Sequence, residues 1–276
     1  DLTRKEALPM PEISPLHYHI LLEPDLPAFR FSGQTTVYLK PSVPTGEIVL
    51  NICDLTVWKV EWISQGGLLA CPFQVDPEKE ILRVFLAECA GEEIELRIVY
   101  EGVINDRMAG LYRSSYRTEK GIRWIAVSQF QESDARRVFP CLDHPAKKAV
   151  FDVEIRLDEA LEAISNGAVA SSEPLSGGRK RVCFETTPKM STYLLFIGVG
   201  RFETVHGGRD DRVRAVTVPS MSRYAGFGLE FGQDALGYCE DYFALSYPLT
   251  KLDLIAVPDF AFGAMENWGA ITFREN

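Results

Sequence analysis

From Leu16 to about Val205 the chain runs through short stretches that alternate apolar and polar residues, rich in Val, Ile, Tyr and Phe and separated by Gly, Pro, Asp and Ser. A period of two puts successive side chains on opposite faces of an extended strand, so each stretch reads as a strand with one face turned to a core. The clearest are residues 17–22, 35–39, 48–52, 57–63, 81–86, 94–100, 151–157, 181–185 and 193–202. Such spacing, with turn residues in between, predicts a large antiparallel β sandwich or a curved open sheet. One interruption, residues 158–163, reads as a short helix or a turn. There is no repeat of fixed period and no low-complexity tract.

The pattern changes at His206-Gly207-Gly208-Arg209-Asp210-Asp211-Arg212, a glycine-led charged stretch that reads as an interdomain linker or a long hairpin. A boundary is placed there, with residues 1–206 as an N-terminal antiparallel β domain and 207–276 as the opening of an α/β domain. After a strand at 213–218, Phe227, Phe231, Ala235, Tyr238, Cys239, Tyr242 and Phe243 recur at spacings of three and four, which predicts a helix whose aromatic stripe packs on a sheet. Ser222 is placed to cap it and Pro248 to end it, while Gly226, Gly228, Gly232 and Gly237 each weaken it by about 1 kcal/mol relative to Ala. Strands at 252–257 and 270–273 flank a glycine-bounded loop.

Composition removes several classes of function. With 276 residues, 46% hydrophobic and 25% charged, the chain can bury a large core and is not disordered. No apolar run approaches the roughly 20 residues that cross a bilayer, and the opening DLTRKEALPMPE has no hydrophobic stretch behind its charges, so neither secretion nor membrane insertion is expected. Against 29 Lys+Arg stand 39 Asp+Glu, a net charge of −10 that disfavours a nucleic-acid partner and fits a cationic partner or a solvated acidic surface. The cysteines at 53, 71, 89, 141, 183 and 239 form no CxxC pair, read mostly as buried reduced thiols, and suggest the cytoplasm.

The glycine-bounded loop contains Gly263-Ala264-Met265-Glu266-Asn267-Trp268-Gly269. GAMEN followed by Trp-Gly resembles the substrate-anchoring motif of the zinc aminopeptidases of the aminopeptidase N and puromycin-sensitive aminopeptidase family, the gluzincin exopeptidases. The flanks Tyr247-Pro248-Leu249, Lys251-Leu252-Asp253-Leu254 and Pro258-Asp259-Phe260 are similar to the segment leading into this loop in that family. Upstream, Gln129-Phe130-Gln131-Glu132-Ser133-Asp134-Ala135-Arg136-Arg137 and Phe139-Pro140-Cys141-Leu142-Asp143-His144-Pro145 resemble a second family block. The resemblance covers nearly the whole chain, and the Asp-His-Pro variant looks closest to microbial or archaeal members. It implies a saddle-like β domain, then the start of a thermolysin-like catalytic domain that stops just past the GAMEN loop.

An exopeptidase must recognise a free α-ammonium, and a carboxylate on a short rigid loop supplies a charge-assisted hydrogen bond worth about 1.5–3 kcal/mol. Glu266 is the candidate, with a solvated loop carboxylate as the plainer alternative. Gly263 and Ala264 keep the backbone open to strand-like pairing with a peptide, Asn267 closes the motif, and Met265 is either an apolar wall of the first specificity pocket or a core plug. The resemblance implies a glutamine and a glutamate flanking the amine. Gln129 matches the first, unless it bonds its own sheet edge. Gln131 stands where most members have the glutamate, so it lacks a charge to offset desolvation of the ammonium. Glu132, on a strand, would face the other way. Asp134, Arg136 and Arg137 read as structural ion pairs, Cys141 as packed, His144 as a turn residue and His206 as part of the linker. His17 and His19 share a strand face but lack a third ligand at a suitable spacing.

In the family, hydrolysis runs on zinc held by HExxH and a later glutamate. The four histidines, His17, His19, His144 and His206, include no pair four apart, so no HExxH is present, and no catalytic or metal-binding residue is assigned. The expectation is the N-terminal portion of a zinc aminopeptidase acting on peptides with a free N-terminus, inactive as this chain alone, with zinc held elsewhere in the complete enzyme. The alternatives are a noncatalytic peptide-binding or scaffold module and, more weakly, a leukotriene A4 hydrolase-like member. Gln131 suggests the latter and Ala264 disfavours it, since those enzymes look like GGMEN.

Overall fold

The computed structural model describes residues 12–64 and 67–275. An eight-stranded sheet runs in the order Val169–Leu175, Arg179–Phe184, Val150–Asp158, Ile13–Asp25, Arg30–Pro41, Ile94–Val103, Thr56–Ser64, Gly67–Ala70. The two-residue period does its work most plainly in Ile94–Val103, where Ile94, Leu96, Ile98 and Tyr100 are fully buried while Glu95, Arg97, Val99 and Glu101 are half-buried. The sheet is antiparallel except where Ile13–Asp25 lies parallel to Val150–Asp158, with His17 opposite Val150. A three-stranded sheet, Thr45–Asn51, Ile81–Ala90, Phe73–Asp76, and a four-stranded one, Glu162–Ser165, Ile197–Gly200, Gly121–Gln129, Gly110–Thr118, complete the first part. Tyr18 and Phe151 stack at 5.2 Å between ring centres inside the core, with Phe139 edge-on to both.

A five-stranded sheet follows in the order Glu203–His206, Val213–Thr217, Leu252–Val257, Ala270–Arg274, Ala264–Met265. Its three central strands are parallel and each edge strand is antiparallel to its neighbour. One face of this sheet contributes Val216, Ile255, Val257, Met265 and Ala270 to the main core, and the other meets the helix Gly226–Phe243 through Val213, Ala215, Leu229, Leu236 and Leu252.

Several expectations change. Of the two readings of 206–212 the hairpin holds, with the Gly207 N–H donating to the Val213 carbonyl at 2.9 Å. Glu203–His206, placed before the boundary, is therefore bonded to the second sheet. Residues 193–202 split into a short 3-10 turn, Thr192–Leu194, and the strand Ile197–Gly200, while within 158–163 only residues 159–161 form a turn, between the strands Val150–Asp158 and Glu162–Ser165. Ala225 stands at the N-cap position, where no side chain caps the helix, and Ser222 instead donates to Glu203 at 2.7 Å. Its aromatic stripe faces outward: Phe227 is 82% exposed and Tyr242 69%. The sheet-facing side is Leu229, Gly232, Gln233 and Leu236, and a Cβ on Gly232 would sit 2.5 Å from Leu254 Cδ1, so glycine is what lets the helix come close. Of the cysteines, Cys71 and Cys141 are buried, Cys53 and Cys183 half-buried, and Cys89 and Cys239 exposed.

Candidate functional site

The strand Leu252–Val257 delivers the chain to Asp259, whose Oδ2 accepts from Ser115 N at 2.8 Å, Ser114 Oγ at 3.1 Å and Ser115 Oγ at 3.3 Å. The Asp259 N–H donates to Ser114 Oγ at 2.9 Å and its carbonyl accepts from Tyr112 Oη at 2.9 Å. Burial, reinforced by the nearby Asp259, pushes the Tyr112 phenol well up, so it remains a donor. The loop then turns under the Arg274 guanidinium, which donates to the carbonyls of Phe260, Ala261 and Phe262 at 3.1, 2.9 and 3.2 Å. Ala264 and Met265 pair with Phe273 and Thr272, and this two-residue strand is the outer edge of its sheet.

Alternation along the motif settles which side chains are offered to the surface. Met265 is fully buried in the core and Asn267 is 1% exposed, its Nδ2 pointing to Ala270 O at 3.3 Å and Thr272 Oγ1 at 3.4 Å. Gly263, Ala264 and Glu266 are exposed. Of the two roles open to Met265, the structure therefore gives the core plug, and Asn267 braces the turn from within. Glu266, Asn267, Trp268 and Gly269 border a cavity of about 730 Å³ whose other walls are mostly apolar, including Leu229, Leu236, Leu254 and Ile271.

The second block lies on the four-stranded sheet. Gln129 ends the strand Gly121–Gln129, opposite Gly110, with Val127 opposite Tyr112 and Ile125 opposite Ser114. Directly paired residues and those two apart share a face, so Gln129 projects on the side of Tyr112 and Ser114, two of the side chains that hold Asp259. Gln129 is 1% exposed, yet neither its Nε2 nor its Oε1 has a hydrogen-bond partner among the described residues. It does not bond its own sheet edge. A buried amide with both ends unfilled is uncommon enough in a folded protein to ask for a ligand. Gln131 and Glu132 are exposed in the turn that follows the strand, so the strand alternation invoked for Glu132 does not apply. Behind them Arg136 pairs with Asp143 and Glu80, and Arg137 with Asp134 and Asp54.

Residues 14–194 match the Peptidase M1 N-terminal domain and residues 227–276 the Peptidase family M1 domain. The chain belongs to the M1 peptidase family. Its M1 relatives include Aminopeptidase M1-C of Oryza sativa subsp. japonica, 41% identical over 95% of this chain and 30% of the relative. Puromycin-sensitive aminopeptidase of Caenorhabditis elegans is 36% identical over 95% of this chain and 28% of the relative. Probable aminopeptidase 2 of Sulfurisphaera tokodaii is 36% identical over 94% and 31%. The chain thus spans about 30% of the length of the relatives it matches. Among the described residues no three His, Cys, Asp or Glu side chains gather to hold a metal ion, so the described residues do not fit a zinc site. No helix among the described residues is long and apolar enough to cross a membrane.

Sequence reasoning passed over the residues that hold the M1 loop in place. Lys251 lies inside a quoted family block without any sign that its ammonium is spent on backbone carbonyls, and Tyr112, Ser114, Asn166 and Arg274 carry no local signal of their partners.

Proposed function

We propose that this chain is the amine-recognising N-terminal portion of an aminopeptidase that removes N-terminal residues from peptides. The buried, unpartnered Gln129 amide carries the proposal, lying on the sheet face that grips the loop bearing exposed Glu266. An α-ammonium has three hydrogens to donate; the Glu266 carboxylate would take one with charge assistance, Gln129 Oε1 a second, and Gln131 Oε1 the third. The free edge of Ala264–Met265 suits a peptide backbone laid down as one more strand, with Gly263 leaving room for it. In this proposal zinc is held by residues of the complete enzyme outside these 276, the domain division lies near residue 206, and the protein is cytoplasmic, in keeping with six cysteines all unpaired.

The test is Glu266→Ala and Gln129→Ala in the complete enzyme with unblocked aminoacyl anilides. Loss of the carboxylate should cost about 2 kcal/mol or more in kcat/KM, a fall of roughly thirtyfold, and loss of the amide roughly tenfold. Unchanged kcat/KM in both would sink the proposal. A noncatalytic peptide-binding module is the second reading, favoured by the missing metal cluster among the described residues. It would require the complete protein to bind free-amine peptides without cleaving them.

A further inference from the structure

Glu266 makes no hydrogen bond or ion pair of its own among the described residues, so the backbone on either side decides where its carboxylate sits. Upstream, Ala264 and Met265 are held by strand pairing. Downstream, the turn at Trp268 and Gly269 is gripped from the other end of the four-stranded sheet. Lys251 is 3% exposed, and its ammonium donates to the Ser165 carbonyl at 2.5 Å, the Gly269 carbonyl at 2.8 Å and Asp253 Oδ2 at 2.8 Å. All three of its hydrogens are thereby used, each on a different element. Asp253, fully buried, also takes a bidentate pair from Arg214 at 2.6 and 2.9 Å. Next to Ser165, Asn166 donates through Nδ2 to the carbonyls of Leu194 at 2.8 Å and Trp268 at 2.7 Å, and accepts from the Phe196 N–H at 2.8 Å. Two consecutive carbonyls of the turn are thus tied to two consecutive residues, 165 and 166.

We infer that Lys251 and Asn166 are positioning residues that lock the Trp268-Gly269 turn to the four-stranded sheet and so fix where Glu266 presents its carboxylate. This rests on the role proposed for Glu266 as the amine anchor. A buried ammonium is an expensive way to fill space: burial pulls the Lys251 amine down to about 8, only partly offset by Asp253. A methionine would pack in the same volume without that cost. What it could not do is bridge Ser165, Gly269 and Asp253 at once.

The test uses the complete protein with Lys251→Met, and Asn166→Ser as the milder variant should the first fail to fold. Amide hydrogen exchange at residues 266–270 should quicken at least tenfold in either variant while the amides of Ile94–Val103 stay unchanged. Hydrolysis of an unblocked aminoacyl anilide should lose about tenfold in kcat/KM, chiefly through KM, and this loss should shrink below twofold when the same substitutions are made on a Glu266→Ala background. Equal losses on both backgrounds, or unchanged exchange at 266–270, would overturn the inference. If the unaltered protein hydrolyses no such substrate, the proposed activity fails while the exchange experiment still judges the lock.

Discussion

Replacing Asp259 by Ala removes a carboxylate of which one oxygen, Oδ2, accepts from Ser115 N, Ser114 Oγ and Ser115 Oγ. Hydrogen bonds to a charged acceptor contribute about 1.5–3 kcal/mol each, but three donors on one oxygen share it. Counting the two shorter contacts at the low end and the 3.3 Å contact as negligible gives a loss of about 3 kcal/mol. A small gain opposes it. The Glu275 carboxyl is held above its usual range by burial and then by the Asp259 charge, and removing that charge returns roughly 0.5 kcal/mol between two partly exposed groups. The expected net cost of Asp259→Ala is about 2.5 kcal/mol. The Tyr112 contact survives because it uses the Asp259 main chain. Asp259→Asn keeps an acceptor oxygen but not the charge, and a neutral acceptor is worth about half, so its cost should be about 1–1.5 kcal/mol. Urea unfolding followed by tryptophan fluorescence reads both, from the midpoint shift times the slope. An Asn variant as unstable as the Ala variant would show that the carboxylate's charge is irrelevant. An Ala variant within about 0.5 kcal/mol of the unaltered protein would show that the anchor contributes nothing.

Gly269→Ala should be among the most damaging single substitutions: its φ is +72°, and a Cβ there would lie 2.3 Å from the Asn166 carbonyl oxygen. With Asn166 fixed by three hydrogen bonds, a cost above about 3 kcal/mol is expected, whereas Gly263→Ala, with nothing within 4 Å, should leave the melting temperature unchanged. Lys59 and then Arg97 hold the buried Glu61 carboxyl below its usual 4.5, so the stability it gives is present at neutral pH and lost as pH falls through the lowered folded value; Arg97→Ala should flatten stability curves measured between pH 5 and 3. The Lys251 amine, at about 8 against an ordinary 10.5, destabilises the fold while protonated, so stability should rise between those two values, and Lys251→Met should abolish that rise.

First-part strands such as Ile81–Ala90, Ile94–Val103 and Val150–Asp158 were legible because one buried face per strand forces a period of two, whereas Gly110–Thr118 and Gly121–Gln129 did not stand out. The strand 252–257 was legible to the residue, since near-continuous burial in a parallel sheet leaves only apolar side chains and one buried aspartate. The helix was legible as a helix but not for its orientation. Three-and-four spacing of Phe227, Phe231, Tyr238 and Tyr242 marks an apolar face, and a thinner one of Leu229, Gly232 and Leu236 lies beside it; which of them meets the sheet depends on how closely glycine lets the backbones approach. Residues 206–212 left two readings open for a similar reason, because a charged glycine-led stretch reads alike in a hairpin turn and in a connection between domains, and only the pairing across it shows the hairpin.

The sequence by itself determined the family, the β character, the motif 263–269 and the absence of a paired-histidine motif, since these are matters of residue identity at short range. Tertiary structure alone decided which motif residues face outward and what holds them. Met265 turns in because its strand pairs with Ala270–Arg274, Asn267 because its amide reaches back to Ala270 and Thr272, and Gln129, on the sheet face of Tyr112 and Ser114, is left without a partner among the described residues. Lys251, Asn166 and Asp259 are spent on carbonyls and hydroxyls up to 147 positions away. Local sequence cannot encode such partners. A buried polar group is satisfied by whatever the fold brings within about 3 Å of it, not by its neighbours along the chain.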